Sequence, residues 1–335
     1  MVGTMVGTTV GTMVGTNENY KRKVTATAHT KQQTTNMAAA TVRAPLLASE
    51  LDTTSKRPKD TLCVPDGFTY IKCLAKGAQA RVHLLARSHD GTLVVLKTPR
   101  VERSGIAEEY EFMKQIHNDA KHANVLAPLE YFADTESMLL EWAPSDVFTL
   151  VQKTAGPMEE ALLKTMAVEV QRGLKFIHNL KIIHMDVKPE NLLYFVDALG
   201  VKSFKVADFG LSCEVATVLE EKPGSPTYAP PEVFFPGPLT VTDSIDMFSF
   251  GVTLYVASTG MLPWLAVSRR DAGFMHFWSL SENVRFARVP PSVVPFIKST
   301  LCLDPSERNW PEVNNASQTV VQSLPVMLEE KLDFL

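Results

Sequence analysis

The sequence predicts an α+β fold in which a smaller, mainly β region precedes a larger, mainly α region. Residues 68–100 alternate apolar and polar side chains, with turn residues at 76–77 and 90–91 between the runs. Between residues 159 and 180, apolar residues instead recur every three or four positions, as in a helix. The 335 residues are enough for one large core or two moderate lobes, since domains commonly run roughly 100 to 200 residues.

Residues 1–64 are predicted to be a disordered tail. Residues 1–16 are tetrapeptide repeats, MVGT-MVGT-TVGT-MVGT, and such a unit is far shorter than the roughly 20 residues of a solenoid repeat. Residues 17–60 are rich in Thr and have Tyr20 as their only aromatic residue. The chain has a net charge of −4, yet residues 1–60 carry eight Lys or Arg against four Asp or Glu, a balance typical of a solvated basic tail.

The composition of the whole chain, with 45% hydrophobic and 21% charged residues, indicates a soluble globular protein. The longest apolar run, 251–267, is interrupted by Pro263 and is shorter than the roughly 20 residues that span a bilayer, so we expect a buried helix and no membrane span. Neither nucleic-acid binding nor a secretory signal is expected, and residues 20–49 resemble a transit peptide only weakly. The expected location is the cytoplasm, with the nucleus as an alternative. Free thiols in a reducing compartment are expected because no pair or metal-ligand spacing links the four cysteines, Cys63, Cys73, Cys213 and Cys302.

The elements follow in order along the chain. Three antiparallel strands are predicted in 68–100, an amphipathic helix over 106–117, two strands over 125–132 and 137–142, and a long helix over 159–180. The resulting organisation is a β lobe at 65–143, a helical lobe at 144–322 and a short tail at 323–335. Active sites often lie in the cleft between two such lobes.

The segment after the long helix, HMDVKPENLL, combines three groups that phosphoryl transfer needs. Asp186 can orient a hydroxyl and take its proton, Lys188 can balance phosphate charge, and Asn191 can offer an oxygen to a metal ion. The segment resembles the catalytic loop of protein kinases. Asp208, in KVADFGLS, resembles the family's second metal ligand at the expected distance after Asn191.

This resemblance covers roughly residues 68–320 and implies a bilobal protein-kinase-like fold, with a small antiparallel β lobe containing one helix and a larger helical lobe. It implies transfer of the γ-phosphoryl group of ATP to Ser or Thr hydroxyls of protein substrates, with Mg²⁺ held by Asn191 and Asp208. The segment LPWLAVSRRDAGFMHFW further resembles calcium/calmodulin-kinase-like and fungal nutrient-signalling kinases. The sequence gives no indication of an oligomeric state.

Lys97 ends an apolar strand and resembles the lysine that kinases direct at the α and β phosphates. Its implied partner is Glu109, because Phe112 and Met113 follow at helical spacing. Glu108 is the competing assignment, but its neighbour at +3 is Glu111, on a face that should be buried. Lys97 and Glu109 join Asp186, Lys188 and Asn191 as implied catalytic residues.

The nucleotide site is also implied by resemblance. The phosphate-covering turn keeps only Gly77, while alanine stands at the outer glycine positions, 75 and 80; we expect a stiffer flap there because alanine disfavours positive φ. In SMLLEWAPSD, Asp146 is either a ribose ligand or a helix N-cap. Leu140 would be the gatekeeper, and Val82, Val95 and Leu193 would enclose adenine. The implied ATP-binding residues are Leu74, Ala75, Gly77, Val82, Val95, Lys97, Leu140, Glu141, Trp142, Ala143, Asp146, Leu193 and Asp208.

The segment GSPTYAPPEV resembles the part of kinases that positions the peptide substrate. Ser225 and Lys188 favour Ser or Thr acceptors, and Glu190 is a candidate for recognising basic residues near the acceptor. Three residues have implied structural roles: Glu232 and Arg308 as a buried ion pair, and Asp246 as support for the catalytic loop.

Met185 stands where many kinases carry an arginine that reads an activation-loop phosphate, so activity without loop phosphorylation is expected. Glu221 near Ser225 is either a substitute for that phosphate or a solvated residue. The alternative function is a pseudokinase scaffold or binding module with weak nucleotide binding, motivated by alanine at 75 and 80. A small-molecule kinase is disfavoured by the peptide-positioning segment.

Overall fold

A computed structural model describes residues 62–100, 104–118, 121–268 and 270–312. The tetrapeptide repeat and the segments 17–61 and 313–335 lie outside the described residues. The predictions made for these parts of the chain therefore stay predictions.

The first lobe is built on a five-stranded antiparallel sheet with strand order β1-β2-β3-β5-β4. Its helix, α1, has the predicted bounds, and the three strands of 68–100 lie close to the predicted runs. Leu62 and Val64 pack against one face of the sheet, so this core also includes residues preceding the first strand. The bounds are β1 Phe68–Lys76, β2 Ala80–Arg87, β3 Leu93–Pro99, α1 Ile106–His117, β4 Pro128–Phe132 and β5 Ser137–Glu141.

The strand predicted over 125–132 is too long, because β4 begins only at Pro128. The residues before it pair elsewhere: Val206 of the second lobe donates its N–H to Asn124 O at 3.0 Å, and its carbonyl accepts from Leu126 N at 2.9 Å. Proline lacks an N–H and is common at the first residue of a strand, which fits its place here. The strand predicted over 137–142 ends one residue earlier, at Glu141.

The second lobe is mainly helical and carries short strands around the predicted site. Its helices are α2 Val147–Thr154, α3 Glu160–Asn179, α4 Ser244–Thr259, α5 Ala272–Ser279, α6 Glu282–Arg285 and α7 Val294–Thr300. Its strands are β6 Ser145–Asp146, β7 Ile182–Ile183, β8 Leu192–Val196, β9 Lys202–Val206, β10 Cys213–Glu214, β11 Val218–Leu219 and β12 Leu239–Thr240. Strands β6, β8 and β9 form a sheet, while β7 pairs with β10 and β11 with β12.

Helix α4 is the buried helix that the apolar run predicts, although it begins earlier, at Ser244, and ends before Gly260. Gly260 has φ 69°, a left-handed conformation that favours glycine at the end of a helix. Among the described residues, no helix is both long and apolar enough to cross a membrane. The four cysteines are free thiols.

Helix α3 packs one face into the core, with Leu163, Met166, Val170, Leu174 and Ile177 buried. Gly173 lies where α3 meets the segment before β4. A Cβ at this position would lie 2.5 Å from the carbonyl oxygen of Asn124, so only glycine allows this approach. The contact sets the position of α3, whose C-terminal end leads into the predicted catalytic loop.

Candidate active site

Asp246, in the first turn of α4, anchors the loop that contains Asp186. The Asp246 carboxylate is fully buried and accepts the backbone N–H groups of His184 and Met185 at 2.7 and 2.9 Å. It also accepts a hydrogen bond from Nε2 of His178, near the end of α3, at 2.8 Å. Burial alone would raise the pKa of Asp246, but the hydrogen bond and charge of His178 and the donors of the loop lower it below its usual value. The ionised carboxylate thus ties the loop to two helices.

Asp186 lies at the centre of a cluster of polar side chains. Its carboxylate contacts Lys188 Nζ and accepts Ser225 Oγ at 3.0 Å. Asn191 Nδ2 donates to Asp186 Oδ2 at 3.2 Å and to its backbone carbonyl at 2.9 Å. Lys188 Nζ also lies 3.4 Å from Ser225 Oγ. The structure therefore brings together four residues that the sequence singled out, one of them 39 positions from Asp186.

His184 orients this loop from its interior, although no role was predicted for it. Its ring is fully buried, with Nε2 donating to Ala207 O at 3.0 Å and Nδ1 accepting Asp186 N at 3.3 Å. This pattern requires the neutral ring, since one nitrogen donates and the other accepts. The ring edge also meets Phe209, with centroids 5.0 Å apart. The two isoleucines directly before His184, which form the buried strand β7, were the signal in the sequence that this segment enters the core.

Lys97 and Glu109 form a close ion pair between β3 and α1. Lys97 Nζ lies 2.8 Å from Glu109 Oε1 and 2.6 Å from Oε2, and 2.8 Å from Asp208 Oδ1. Burial would lower the pKa of Lys97, but the carboxylates of Glu109 and then Asp208 outweigh it and raise the pKa. Glu109 is buried whereas Glu108 is exposed, so the geometry selects Glu109. Lys97 is therefore held charged beside Asp208.

Asn191 and Asp208 offer two oxygens that suit a magnesium ion. Asn191 uses its Nδ2 for the bonds to Asp186, which leaves its Oδ1 for another partner. Lys97 contacts Asp208 through Oδ1, which leaves Oδ2 of that carboxylate for a metal ion. Among the described residues, no group of three or more His, Cys, Asp or Glu side chains forms a metal site. Two oxygen donors fit magnesium, which usually keeps several waters and binds substrate phosphates rather than a complete protein cage.

The turn between β1 and β2 closes with Gly77 N donating to Ala80 O at 2.8 Å. Neither Ala75 nor Ala80 adopts positive φ, and they lie within β1 and β2, so neither alanine is strained. The stiffer flap stays a prediction. The turn is held from the side by Arg100. Its Nη1 donates to Gly77 O at 2.7 Å, and its backbone N–H donates to Gln79 O at 2.9 Å. Sequence reasoning missed this contact.

The residues predicted to enclose adenine belong to one apolar cluster. Val95 and Leu140 are buried in it and face each other across β3 and β5, and the partly buried members include Leu74, Val82, Trp142 and Leu193. After β5 the chain passes through residues 141–143 into the second lobe, and the Glu141 side chain pairs with Lys205. Contacts of these residues with a nucleotide stay predictions.

Asp146 adopts the geometry of a helix N-cap. Its Oδ1 accepts Thr149 N at 2.6 Å at the start of α2, as an N-cap side chain does. The ribose role remains the alternative prediction. Glu190 lies half-buried in a short turn next to Asn191, and its contact with a substrate also stays a prediction.

Glu232 and Arg308 form a bidentate ion pair, with Arg308 Nη2 lying 3.0 Å from Glu232 Oε2. The guanidinium also donates to the carbonyls of Cys302, Ser244 and Leu303 at 2.9, 3.0 and 3.1 Å. It lies 4.9 Å from the ring centroid of Phe248 in α4. These contacts connect the segment after Ser225 to the helical core.

The two lobes and this arrangement of residues are those of a bilobal protein-kinase-like fold. The Protein kinase domain family matches residues 68–319. The chain therefore belongs to the protein kinase family.

Three similar proteins are kinases by name, and the name of one of them specifies serine/threonine. Serine/threonine-protein kinase SBK1 of Mus musculus is 26% identical over 240 residues, covering 70% of this chain and 57% of the relative. Aurora kinase B-A of Xenopus laevis is 28% identical over 65% of this chain and 60% of its own length. Sucrose non-fermenting protein kinase 1 of Fusarium virguliforme is 29% identical over 78% of this chain and 37% of its own length. The chain thus spans less than two thirds of the length of these relatives, and the resemblance to one kinase subgroup stays a prediction.

Proposed function

We propose that this protein is an active, ATP-dependent Ser/Thr protein kinase that transfers the γ-phosphoryl group to hydroxyls of protein substrates. The cluster of Asp186, Lys188, Asn191 and Ser225 carries the proposal. In it, the Asp186 carboxylate, which can accept a hydroxyl proton, lies beside the Lys188 cation and the Asn191 amide, which can offer an oxygen to a metal ion. Retention of the ion pair between Lys97 and Glu109 supports the same function, since this pair positions the phosphates in the family.

In the proposed mechanism, Asp186 orients the substrate hydroxyl and accepts its proton as the hydroxyl oxygen bonds to the γ-phosphorus of ATP. The bond between that phosphorus and the β,γ-bridging oxygen breaks in the same transfer, and ADP leaves. Lys188, in contact with Asp186, offsets negative charge on the transferred group. Lys97 directs the α and β phosphates, while Asn191 and Asp208 would hold Mg²⁺. When bound, the ion neutralises charge that develops on the phosphate oxygens.

A peptide library with matched Ser, Thr and Tyr acceptors tests this proposal. The contact of Ser225 with both Asp186 and Lys188 supports Ser and Thr as acceptors. Incubation with γ-labelled ATP and Mg²⁺, followed by phosphoamino-acid analysis, should give phosphoserine or phosphothreonine. Transfer mainly to tyrosine would contradict the acceptor assignment.

The second candidate is a pseudokinase module that binds nucleotide weakly without turnover. The alanine residues at 75 and 80 favour it, because each adds a methyl group near the expected phosphates. The two candidates separate in one pair of measurements on wild-type protein. Saturable nucleotide binding without any label transfer would favour the pseudokinase, whereas transfer at catalytic turnover would reject it.

We also propose that activity does not require phosphorylation of the activation loop, residues 208–232. Met185 is buried in an apolar cluster with, among others, Val233 and Ile245, so the side chain beside Asp186 packs instead of reading a phosphate. The loop is held by backbone pairing of β10 with β7 and of β11 with β12. Glu221 is exposed, which favours its interpretation as a solvated residue.

Phosphatase treatment should therefore leave the activity of the purified kinase within about twofold of the untreated enzyme, because Met185 packs in an apolar cluster and the strands of the loop pair through backbone bonds, neither of which needs a phosphate. Mass spectrometry should confirm that residues 208–232 carry no phosphate after treatment. A kinase with an arginine before its catalytic aspartate, treated in parallel, is the positive control for the phosphatase. A tenfold or greater loss of activity in this protein would overturn the proposal.

Arg100→Ala should raise the KM for ATP several-fold and change kcat much less, because it removes the side-chain bond that holds the phosphate-covering turn at Gly77. A charge-assisted hydrogen bond contributes about 1.5 to 3 kcal/mol when well formed, and less at an exposed position such as this one. Steady-state kinetics over a range of ATP concentrations measure the effect. Arg87→Ala, which removes a partly exposed arginine from the other end of β2, is the matched control. An unchanged KM would show that Arg100 does not position the turn.

A further inference from the structure

A second concave surface lies on α3, apart from the residues around Asp186. We call it the α3 pocket; it has a volume of about 350 Å³ and is lined by His122, Gln171, Arg172, Lys175, Phe176 and Asn179. The proposed kinase mechanism uses none of these residues.

The α3 pocket combines positive charge with an aromatic wall. Arg172 and Lys175 supply two cations, and none of the six lining residues is acidic. The nearby carboxylate of Glu169 is engaged elsewhere, since it accepts Phe204 N at 2.7 Å. The rings of His122 and Phe176 are stacked, with centroids 4.6 Å apart and an interplanar angle of 20°. A ligand with carboxylates and apolar side chains would complement this lining.

Gln171 adds an unpaired acceptor to the α3 pocket. Only 1% of this residue is exposed, and its Nε2 donates to Pro311 O at 2.7 Å. Its buried Oε1 has no hydrogen-bond partner among the described residues. A side-chain amide that donates to one backbone carbonyl of an extended chain can accept from an N–H farther along it, as a neighbouring strand does. Gln171 thus holds the chain at Pro311 beside the α3 pocket and keeps Oε1 for a further donor.

The chain itself supplies such a peptide. The described part ends at residue 312, next to the carbonyl that Gln171 already binds. The following 23 residues, 313–335, carry Glu329, Glu330 and Asp333 against one lysine. These acids lie among apolar residues in the sequence PVMLEEKLDFL at 325–335. Both the charge and the apolar content of this segment match the α3 pocket.

We propose that residues 325–335 dock in the α3 pocket, with their carboxylates on Arg172 and Lys175 and an apolar side chain against the rings of His122 and Phe176. The pocket also touches the segment before β4, whose Asn124 carbonyl binds Val206 ahead of Asp208. Docking would therefore connect residues 325–335 to the segment that pairs with Val206, two residues before Asp208.

Hydrogen exchange of the full chain, read by mass spectrometry on peptides covering 325–335, tests this contact. In wild-type protein we expect exchange of these amides to be slowed at least tenfold relative to a synthetic peptide of the same sequence. Arg172→Glu combined with Lys175→Glu should remove this protection. The matched control, Lys153→Glu with Lys164→Glu, changes two exposed lysines outside the pocket and should leave the protection unchanged.

A charge exchange keeps the test decisive if the pocket variant is destabilised. Adding Glu329→Lys and Glu330→Lys to the pocket variant should restore protection, whereas the same tail changes in the wild-type background should abolish it. Absence of protection in wild-type protein, or protection equal in all variants, would overturn the proposal. A loss of protection that the charge exchange does not restore would overturn the pairing of these charges.

Discussion

Asp186→Asn is expected to lower kcat for peptide phosphorylation by about 10² to 10⁴-fold, the range over which general acid–base catalysis contributes. The amide retains the size of the side chain and an oxygen that can accept Ser225 Oγ, but it cannot take the proton of a substrate hydroxyl. It also removes the charge that faces Lys188. Nucleotide affinity should change little, because Lys97 and Asp208 remain. Single-turnover transfer of labelled phosphate, measured beside nucleotide binding, separates these two quantities.

Asp134→Asn is the matched control for this substitution, since it makes the same chemical change at an exposed residue in a short turn of the first lobe. It should transfer phosphate at the wild-type rate. If Asp186→Asn also retained the wild-type rate, the assignment of Asp186 as the proton acceptor would be wrong. If wild-type protein bound nucleotide and transferred none, the pseudokinase proposal would gain support instead.

The features that the sequence predicted well are those set by local spacing. Helix α1 follows from the period of its apolar residues, and the same period places Glu109 on the buried face and Glu108 in solvent. The order of groups from Asp186 to Asn191 lies within one short loop, so their proximity follows from the chain itself. The partnership of Lys97 with Glu109 joins two elements, and it was predicted only through the family resemblance.

The features that the sequence did not predict depend on contacts between distant segments or on backbone angles. The residue type at position 80 does not show whether its backbone has positive or negative φ, and the structure has it outside the positive region. Arg100 looks like an ordinary exposed arginine until the turn at Gly77 is seen beside it. Likewise, β4 starts late because residue 206, some eighty positions away, pairs with the chain before it. Single-sequence patterns carry no information about such pairings.

Arg308→Leu should destabilise the helical lobe by about 3 to 5 kcal/mol, the usual cost of removing one partner of a buried ion pair. The Arg308 side chain is fully buried, and its loss leaves Glu232 and three backbone carbonyls without their donor. The cation–π contact with Phe248 is lost as well. Chemical denaturation followed by tryptophan fluorescence should show the change, since Trp310 lies two residues from the substitution. Lys298→Leu, which breaks an exposed ion pair with Glu282, is the control and should shift the midpoint little.

A double-mutant cycle separates the ion pair from the other contacts of Arg308. Glu232→Gln alone should destabilise less than Arg308→Leu. Glu232 is partly exposed, so water can reach the guanidinium N–H groups that lose their carboxylate partner. The loss of unfolding free energy in the double variant should be smaller than the sum of the two single losses. In the Glu232→Gln background, Arg308→Leu no longer leaves a carboxylate without its partner. Strict additivity would mean that Arg308 acts through the backbone carbonyls and Phe248 and not through Glu232. Because Glu232 follows Ser225 by seven residues, subadditive stability should be accompanied by a loss of peptide phosphorylation in each single variant, linking the buried pair to the segment that faces Asp186.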